Sequence, residues 1–355
     1  MFTNVALYQQ DISNIAGTDL PWQKLKNKTL LLTGATGLIG TFLIDVLMKK
    51  NEEENLNINI YAVGRNLSTV RQRFARYWDS PLFSFFQMDV NQPVDTNIHF
   101  DYILHAASNT HPVQYATDPV NSLMTNLMGT YNLLEYGRKS KIERFVFLSS
   151  VEIYGQALHE DDMFDESYCG YIDCNTVRAG YPEGKRAGEA LCQAYISKYG
   201  MDIVIPRLSR VYGPTMKPDD SKAMSQFIMN GVRGEDIILK SQGLQKYSYC
   251  YVADAVLGIL YVWLKGKTGE AYNVADVETN MLLKDITQYI AEITHHKVVF
   301  QLPDGTEKQG FSKVTAGVMD SRKLQQLGWK PLDTVKSGIN KTIEILRFNQ
   351  NLSYK

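Results

Sequence analysis

The chain is poor in cysteine: Cys169, Cys174, Cys192 and Cys250 are the only ones in 355 residues. None stands in a CxxC pair or near a histidine at zinc-finger spacing, so neither a disulfide framework nor a structural zinc site is expected, and free thiols are the plain reading. An HExxH sequence is also missing, and the histidines are scattered, so no metal is expected. No excess of one charge exists, since 37 Lys and Arg stand against 38 Asp and Glu, a net charge of −1. That balance argues against a nucleic-acid partner, and without a basic run nothing points to a membrane surface. Long apolar stretches are lacking too. The longest charge-free one, residues 255–264, is too short to span a bilayer. The N-terminus has no basic start followed by an apolar block, so no signal peptide is expected and the cytoplasm is the expected location.

What is present is an ordinary globular composition, 44% hydrophobic and 21% charged, in a chain long enough to bury a sizeable core unaided. Short apolar runs alternate with helical patterns in the first half. Residues 29–33, 60–65, 83–90, 102–107 and 144–150 read as strands, with helices over 38–50 and 118–139. A helix over 181–199 and a sixth strand over 201–208 follow, then a helix at 221–232, a strand at 271–274 and a helix at 282–294. Continuous apolar strands between helices imply α/β architecture with a doubly wound parallel sheet of the Rossmann type. The expected division is a dinucleotide-binding domain over 1–206. A smaller α/β substrate lobe follows over 207–355, with segments near 248–275 returning to the first.

The first strand runs directly into Thr33-Gly34-Ala35-Thr36-Gly37-Leu38-Ile39-Gly40 and a helix. Glycines there permit a tight turn and close approach of the backbone to a pyrophosphate, and the helix N-terminus supplies free N–H groups. A glycine triplet alone is weak evidence, since a tight turn without ligand looks the same; the strand–loop–helix context is what points to a dinucleotide. At the end of the second strand, where an acidic residue would bind the adenosine ribose of NAD, stand Arg65 and Asn66. That leans the NAD(P) expectation toward NADP. Asp89 and Val90, ending the third strand, are expected against adenine.

Tyr181 and Lys185 lie four apart, on one face of a helix. A tyrosine acts as a base near neutral pH only if its phenolate is stabilised, which an ammonium and a positive nicotinamide ring both do. Among 21 tyrosines about one YxxxK arises by chance, and Tyr261 with Lys265 is such a decoy. Tyr181 differs by following the strand that ends in Ser149 and Ser150, on the same edge of the sheet as the glycine loop.

These residues together resemble the extended short-chain dehydrogenase/reductases of the NAD-dependent epimerase/dehydratase family, over about residues 25–345. The resemblance is carried by the glycine loop, His105-Ala106-Ala107, Asn126-Leu127-Met128-Gly129-Thr130, Ser149-Ser150-Val151-Glu152-Ile153-Tyr154-Gly155, Val211-Tyr212-Gly213-Pro214 after Arg207, and Leu327-Gly328-Trp329-Lys330-Pro331. Arg178-Ala179 and Tyr181 to Arg186 look closest to UDP-glucuronate decarboxylases. The resemblance implies a nucleotide-sugar substrate and a homodimer formed through the helices near 118–139 and 181–199. It implies cofactor contacts from Gly34, Thr36, Gly37, Leu38, Ile39, Gly40, Ala106, Ala107, Ser108, Asn126, Tyr181 and Lys185. Ser108, Ser150, Arg210 and Tyr247 are expected to bind substrate. Tyr181 with Ser150 would remove the sugar 4-hydroxyl proton while hydride leaves C4, and the 4-ketone would then open C5 to dehydration or decarboxylation. Alternatives are 4-epimerisation, a net NADP-dependent oxidation, or, in another class, a non-catalytic dinucleotide sensor on the same fold.

Glu152 favours C5 chemistry. Two residues after Ser150 on an extended strand, it would point to the same side and could move a C5 proton, or merely bind a sugar hydroxyl. Two departures stand out. One dehydratase group has aspartate where this chain has Val151, and relatives carry arginine where this chain has Tyr247. Arg210 occupies a place where asparagine is common, and is expected to supply the charge for a diphosphate or uronate.

Overall fold

The computed structural model describes residue 2 and residues 4–110, 112–159, 162–276, 280–305 and 316–353. Its strands, in chain order, are β1 (Thr29–Thr33), β2 (Asn59–Gly64), β3 (Phe83–Gln87), β4 (Tyr102–His105), β5 (Arg144–Phe147), β6 (Ser149–Ser150), β7 (Met163–Phe164) and β8 (Ile203–Leu208). The remainder are β9 (Arg210–Tyr212), β10 (Ile237–Leu239), β11 (Lys246–Tyr251), β12 (Ala271–Val274), β13 (Asn280–Leu282), β14 (Val298–Phe300) and β15 (Ala316–Met319). The main sheet runs β12-β8-β5-β4-β1-β2-β3, with β6 on β8, and every pairing is parallel. The order reverses between β1 and β4. Beyond their carboxyl ends the loops separate, and a crevice opens where ligands of doubly wound sheets bind. The expected strands near 29–33, 60–65, 83–90, 102–107, 144–150, 201–208 and 271–274 are all there, with ends displaced by up to three residues.

Helices carry the faces of the sheet and the second lobe. They are α1 (Ala6–Ala16), α2 (Leu38–Glu54), α3 (Leu67–Arg73), α4 (Pro112–Thr117), α5 (Pro119–Ser140), α6 (Gly180–Tyr199), α7 (Ala223–Arg233) and α8 (Val252–Lys265); α9 (Leu283–Thr294) and a C-terminal helix, Val335–Ser353, come after them. α8 is buried nearly throughout, among strands and helices of both lobes, which is why its sequence is apolar on all sides. No helix among the described residues is long and apolar enough to cross a membrane.

The second lobe is built on a mixed sheet, β13-β11-β15-β7, with β9 on β11, and on the small pair β10-β14. β12 lies on β8 of the main sheet, so residues 271–274 join the sheet built by the first half of the chain. Traffic also runs the other way: β7, from within the first 206 residues, pairs with β15. At the N-terminus α1 packs on α2, and Asp11 accepts from Tyr251 Oη and Lys341 Nζ, both at 2.7 Å, tying the two ends of the chain together.

Candidate active site

The glycine loop sits at the crevice. Gly34 has φ +71°, and a Cβ there would lie 2.6 Å from the Ala106 carbonyl carbon. A Cβ on Gly40 would lie 2.4 Å from the Gly34 carbonyl oxygen. Both positions therefore exclude side chains, and the backbone is left open to a large ligand. Gly37 caps α2 without any side-chain partner, so the first N–H groups of this 17-residue helix face the crevice unclaimed by side chains. Thr33 Oγ1 joins His105 Nδ1 at 2.8 Å and accepts from Ala107 N at 3.1 Å, fixing the ends of β1 and β4 to each other. Burial pushes the His105 imidazole down to about 3, so it is neutral.

One continuous cavity of about 600 Å³ is lined by Gly34, Thr36, Gly37, Leu38, Ile39 and Gly40, by Arg65, Asp89 and Val90, and by Ala106, Ala107 and Ser108. It continues past Ser150, Glu152, Tyr181 and Lys185 to Arg210 and Tyr247. Two expected contacts lie elsewhere. Asn66 caps α3, accepting from Thr69 N at 3.1 Å, and Asn126 stands behind the wall, holding Ser108 Oγ at 2.9 Å. The Asn66 side-chain oxygen and both ends of the Asn126 amide are taken by bonds within the protein, which a motif does not reveal. The groove runs from the glycine loop past the β2 and β3 ends in one direction and to Lys185 and Tyr181 in the other.

α6 reaches this place because Tyr181, Gly184, Lys185, Gly188, Cys192 and Tyr195 form its buried stripe. A Cβ on Gly188 would lie 2.5 Å from the Phe147 ring, so glycine lets the helix settle onto β5. Lys185 then lies with Nζ 4.9 Å from the centroid of that ring and donates to the Leu148 carbonyl at 2.8 Å. Burial brings its ammonium down to about 8. Burial pushes the Tyr181 phenol up to about 12, against a hydrogen bond with Ser150 that pulls it down. Of the two serines, Ser150 is the one that bears on the Tyr181 phenol, while Ser149 Oγ is buried with no partner. The decoy pair is elsewhere: Lys265 Nζ rests 4.7 Å from the Tyr261 ring centroid, on α8.

The geometry at Glu152 differs from the extended strand expected. Val151–Tyr154 is a turn of 3-10 helix, with Ser150 at its cap accepting from Glu152 N at 3.3 Å. The Glu152 carboxylate takes Arg178 Nη2 at 2.9 Å and Arg210 Nη2 at 3.4 Å. Burial alone would raise this carboxyl, but the two arginines outweigh it and hold it below its ordinary value. The Arg210 guanidinium lies 3.7 Å from the Tyr247 ring centroid, and the Nε atoms of both arginines are buried with no partner. Two guanidiniums against one carboxylate leave a net positive charge beside the Ser150–Tyr181 pair.

Several lining residues gave no signal beforehand. Tyr115 comes from the six-residue α4, which no periodicity announces, and Lys217, Ser221 and Lys222 come from the loop before α7. Arg178 was visible only as part of a motif. Arg207 stands outside the cavity, bound to Glu189 at 2.7 Å and to Tyr154 Oη at 3.0 Å. No group of three or more His, Cys, Asp or Glu residues placed to hold a metal occurs among the described residues.

The family model described as "NAD dependent epimerase/dehydratase family" matches residues 30–275. UDP-glucuronic acid decarboxylase 6 of Arabidopsis thaliana is 30% identical over 315 residues, 88% of this chain and 87% of the relative. UDP-glucuronic acid decarboxylase 1 of Danio rerio is 28% identical over 333 residues, 92% of this chain and 74% of the relative. Among solved structures, dTDP-glucose 4,6-dehydratase from Bacillus anthracis in complex with NAD has a TM-score of 0.77 at 19% identity, over 91% of this chain and 98% of that one. UDP-glucuronic acid 4-epimerase from Bacillus cereus, with UDP-glucuronic acid and NAD, has a TM-score of 0.75 at 21% identity, over 90% and 99%. With its parallel sheet, its glycine loop and its Ser150–Tyr181–Lys185 set, the chain belongs to the NAD-dependent epimerase/dehydratase family and is an NAD(P)-dependent enzyme of the extended short-chain dehydrogenase/reductase type.

Proposed function

We propose that this enzyme oxidises a nucleotide-linked hexuronic acid at C4 and then decarboxylates it at C5. Tyr181, supported by Ser150 and Lys185, accepts the 4-hydroxyl proton. A nicotinamide held at the glycine loop would supply the hydride acceptor at C4 and the source of the hydride for the final reduction. In the 4-ketone the C5–C6 bond breaks, its electron pair passes into the enolate, carbon dioxide leaves, and a proton returns to C5. The observation that carries this reading is the net positive Glu152–Arg178–Arg210 cluster beside Tyr181, which suits a carboxylate substituent next to C4. Val151 leaves no acid at the place where one dehydratase group carries aspartate. The names of the relatives found in Arabidopsis and Danio point the same way.

Mass spectrometry of products from UDP-, CDP-, GDP- and dTDP-linked sugars and uronic acids in heavy water tests it. Loss of carbon dioxide with one deuterium retained is expected. Loss of water would replace the reading with dehydration, and an isobaric product without deuterium would replace it with 4-epimerisation.

For the cofactor we propose NADP. Arg65 is exposed at the groove and pairs with no carboxylate among the described residues, so a 2′-phosphate has a cation to meet. Arg65→Ala should weaken NADP binding roughly tenfold and leave NAD binding within about twofold, read by titration calorimetry. Equal losses for both would return the preference to NAD. We also propose that the enzyme works in the cytoplasm as a homodimer, joined through α5 and α6.

A further inference from the structure

We propose that Tyr115 is a positioning residue for the proton-transfer tyrosine, its ring setting the orientation of Tyr181 and its hydroxyl reading the substrate. The inference rests on Tyr181 having the role given above. Tyr115 belongs to α4, is 4% exposed and lines the cavity. Its ring stacks on that of Tyr181, with centroids 5.1 Å apart and planes at 25°. The Arg178 guanidinium carbon lies 5.5 Å from the Tyr115 centroid, and the same guanidinium holds Glu152. Tyr115 therefore touches both halves of the site: the phenol that moves the proton and the charged cluster that faces the C5 substituent.

The physical need is clear from the Tyr181 side. Ser150 is the one described side chain that bears on its hydroxyl, which leaves the phenol free to swing about its Cα–Cβ bond and carry the oxygen sideways. A flat aromatic face packed against the ring removes that freedom, and misplacement by about 1 Å costs on the order of a hundredfold in rate. Tyr115 lines the cavity, and no described residue hydrogen-bonds its hydroxyl. There it is a donor for a sugar or diphosphate oxygen.

Steady-state kinetics on Tyr115→Phe and Tyr115→Leu separates the two roles, using the nucleotide sugar that the wild type turns over in the panel above. Tyr115→Phe keeps the ring and should hold kcat within about twofold while raising KM roughly threefold to tenfold. Tyr115→Leu should lower kcat roughly tenfold to a hundredfold, move the acidic limb of the kcat pH profile, and leave cofactor affinity and thermal midpoint near the wild type. A Tyr115→Leu kcat within about threefold of wild type overturns the proposal. So does a kcat that falls only in step with cofactor affinity and thermal midpoint, or an equal loss of kcat in both variants. Tyr181→Phe is the control. If that variant keeps its turnover, the reading of Tyr181 itself has failed; if it is inactive while Tyr115→Leu is active, only the role of Tyr115 has.

Discussion

Arg210 shows how much of one side chain's role depends on neighbours far away in sequence. Its identity stood out in the sequence, because asparagine is common at that place among relatives. Its partners did not. β9 pairs with β11 so that Arg210 lies opposite Tyr249, and Tyr247, two residues along, shares that face. The guanidinium thus rests on Tyr247 and reaches Glu152 with one edge, leaving Nε unpaired. Arg210→Ala should weaken binding of the nucleotide sugar roughly tenfold to a hundredfold, the worth of a charge-assisted hydrogen bond, measured by calorimetry on enzyme loaded with cofactor. Unchanged affinity would remove Arg210 from the substrate site. Glu152 teaches a related lesson. It was placed beside Ser150 by the alternation of a strand, and it is beside Ser150, but through a 3-10 turn capped by that serine. Held ionised by two arginines, it is better suited to fixing charges than to carrying a proton.

Whole elements were legible in proportion to their length and regularity. α6 was expected over 181–199 and runs over 180–199, because its buried stripe, Tyr181 to Tyr195, repeats at helical spacing for about four turns. α4, β7 and the turn at 151–154 were not foreseen; each is too short for a period, and its bonds go to distant segments. α6 also carries a pH dependence. The Lys185 ammonium has its value lowered to about 8 by burial, below that of an unfolded lysine. The unfolded chain therefore holds this proton more tightly, and burial of the charge costs stability at neutral pH. That cost fades as pH rises from about 8 toward 10, where the folded protein sheds the proton first. In cofactor-free protein, Lys185→Met should be more stable relative to wild type at pH 7 than at pH 10, by up to about 3 kcal/mol. Chemical denaturation at the two values checks this, and a difference independent of pH would mean that Lys185 stays charged throughout.

On the scale of the molecule, the two lobes are interwoven. Thr215, just beyond Pro214, donates to the Leu38 carbonyl at 2.7 Å at the head of α2, and Arg73 bridges Thr41 and the Thr215 carbonyl. The loop beyond Pro214 is thus bound to the head of α2 itself. On the outside, α5 exposes Val120, Met124 and Tyr131, with Leu127 half-buried between them, a stripe at spacings of four, three and four residues. If α5 and α6 form the dimer contact, Met124→Glu combined with Tyr131→Glu should halve the mass seen by light scattering at micromolar concentration while cofactor binding persists. A monomeric wild type, or a double variant that stays dimeric, would place the contact elsewhere or deny it.

The sequence by itself determined the alternation of strand and helix, the glycine loop, the helical spacing of Tyr181 and Lys185, and the family. These follow from patterns within a dozen residues, where backbone geometry and hydrophobic period act directly. Only the tertiary structure decided that Glu152 sits on a 3-10 turn between two arginines, that the Asn126 amide is spent on bonds within the protein, and that Tyr115 and Arg178 join the site. Those outcomes depend on which loop ends the folded sheet brings to one crevice. Charge pairing, burial and stacking act across such gaps in space, and no spacing along the chain encodes them.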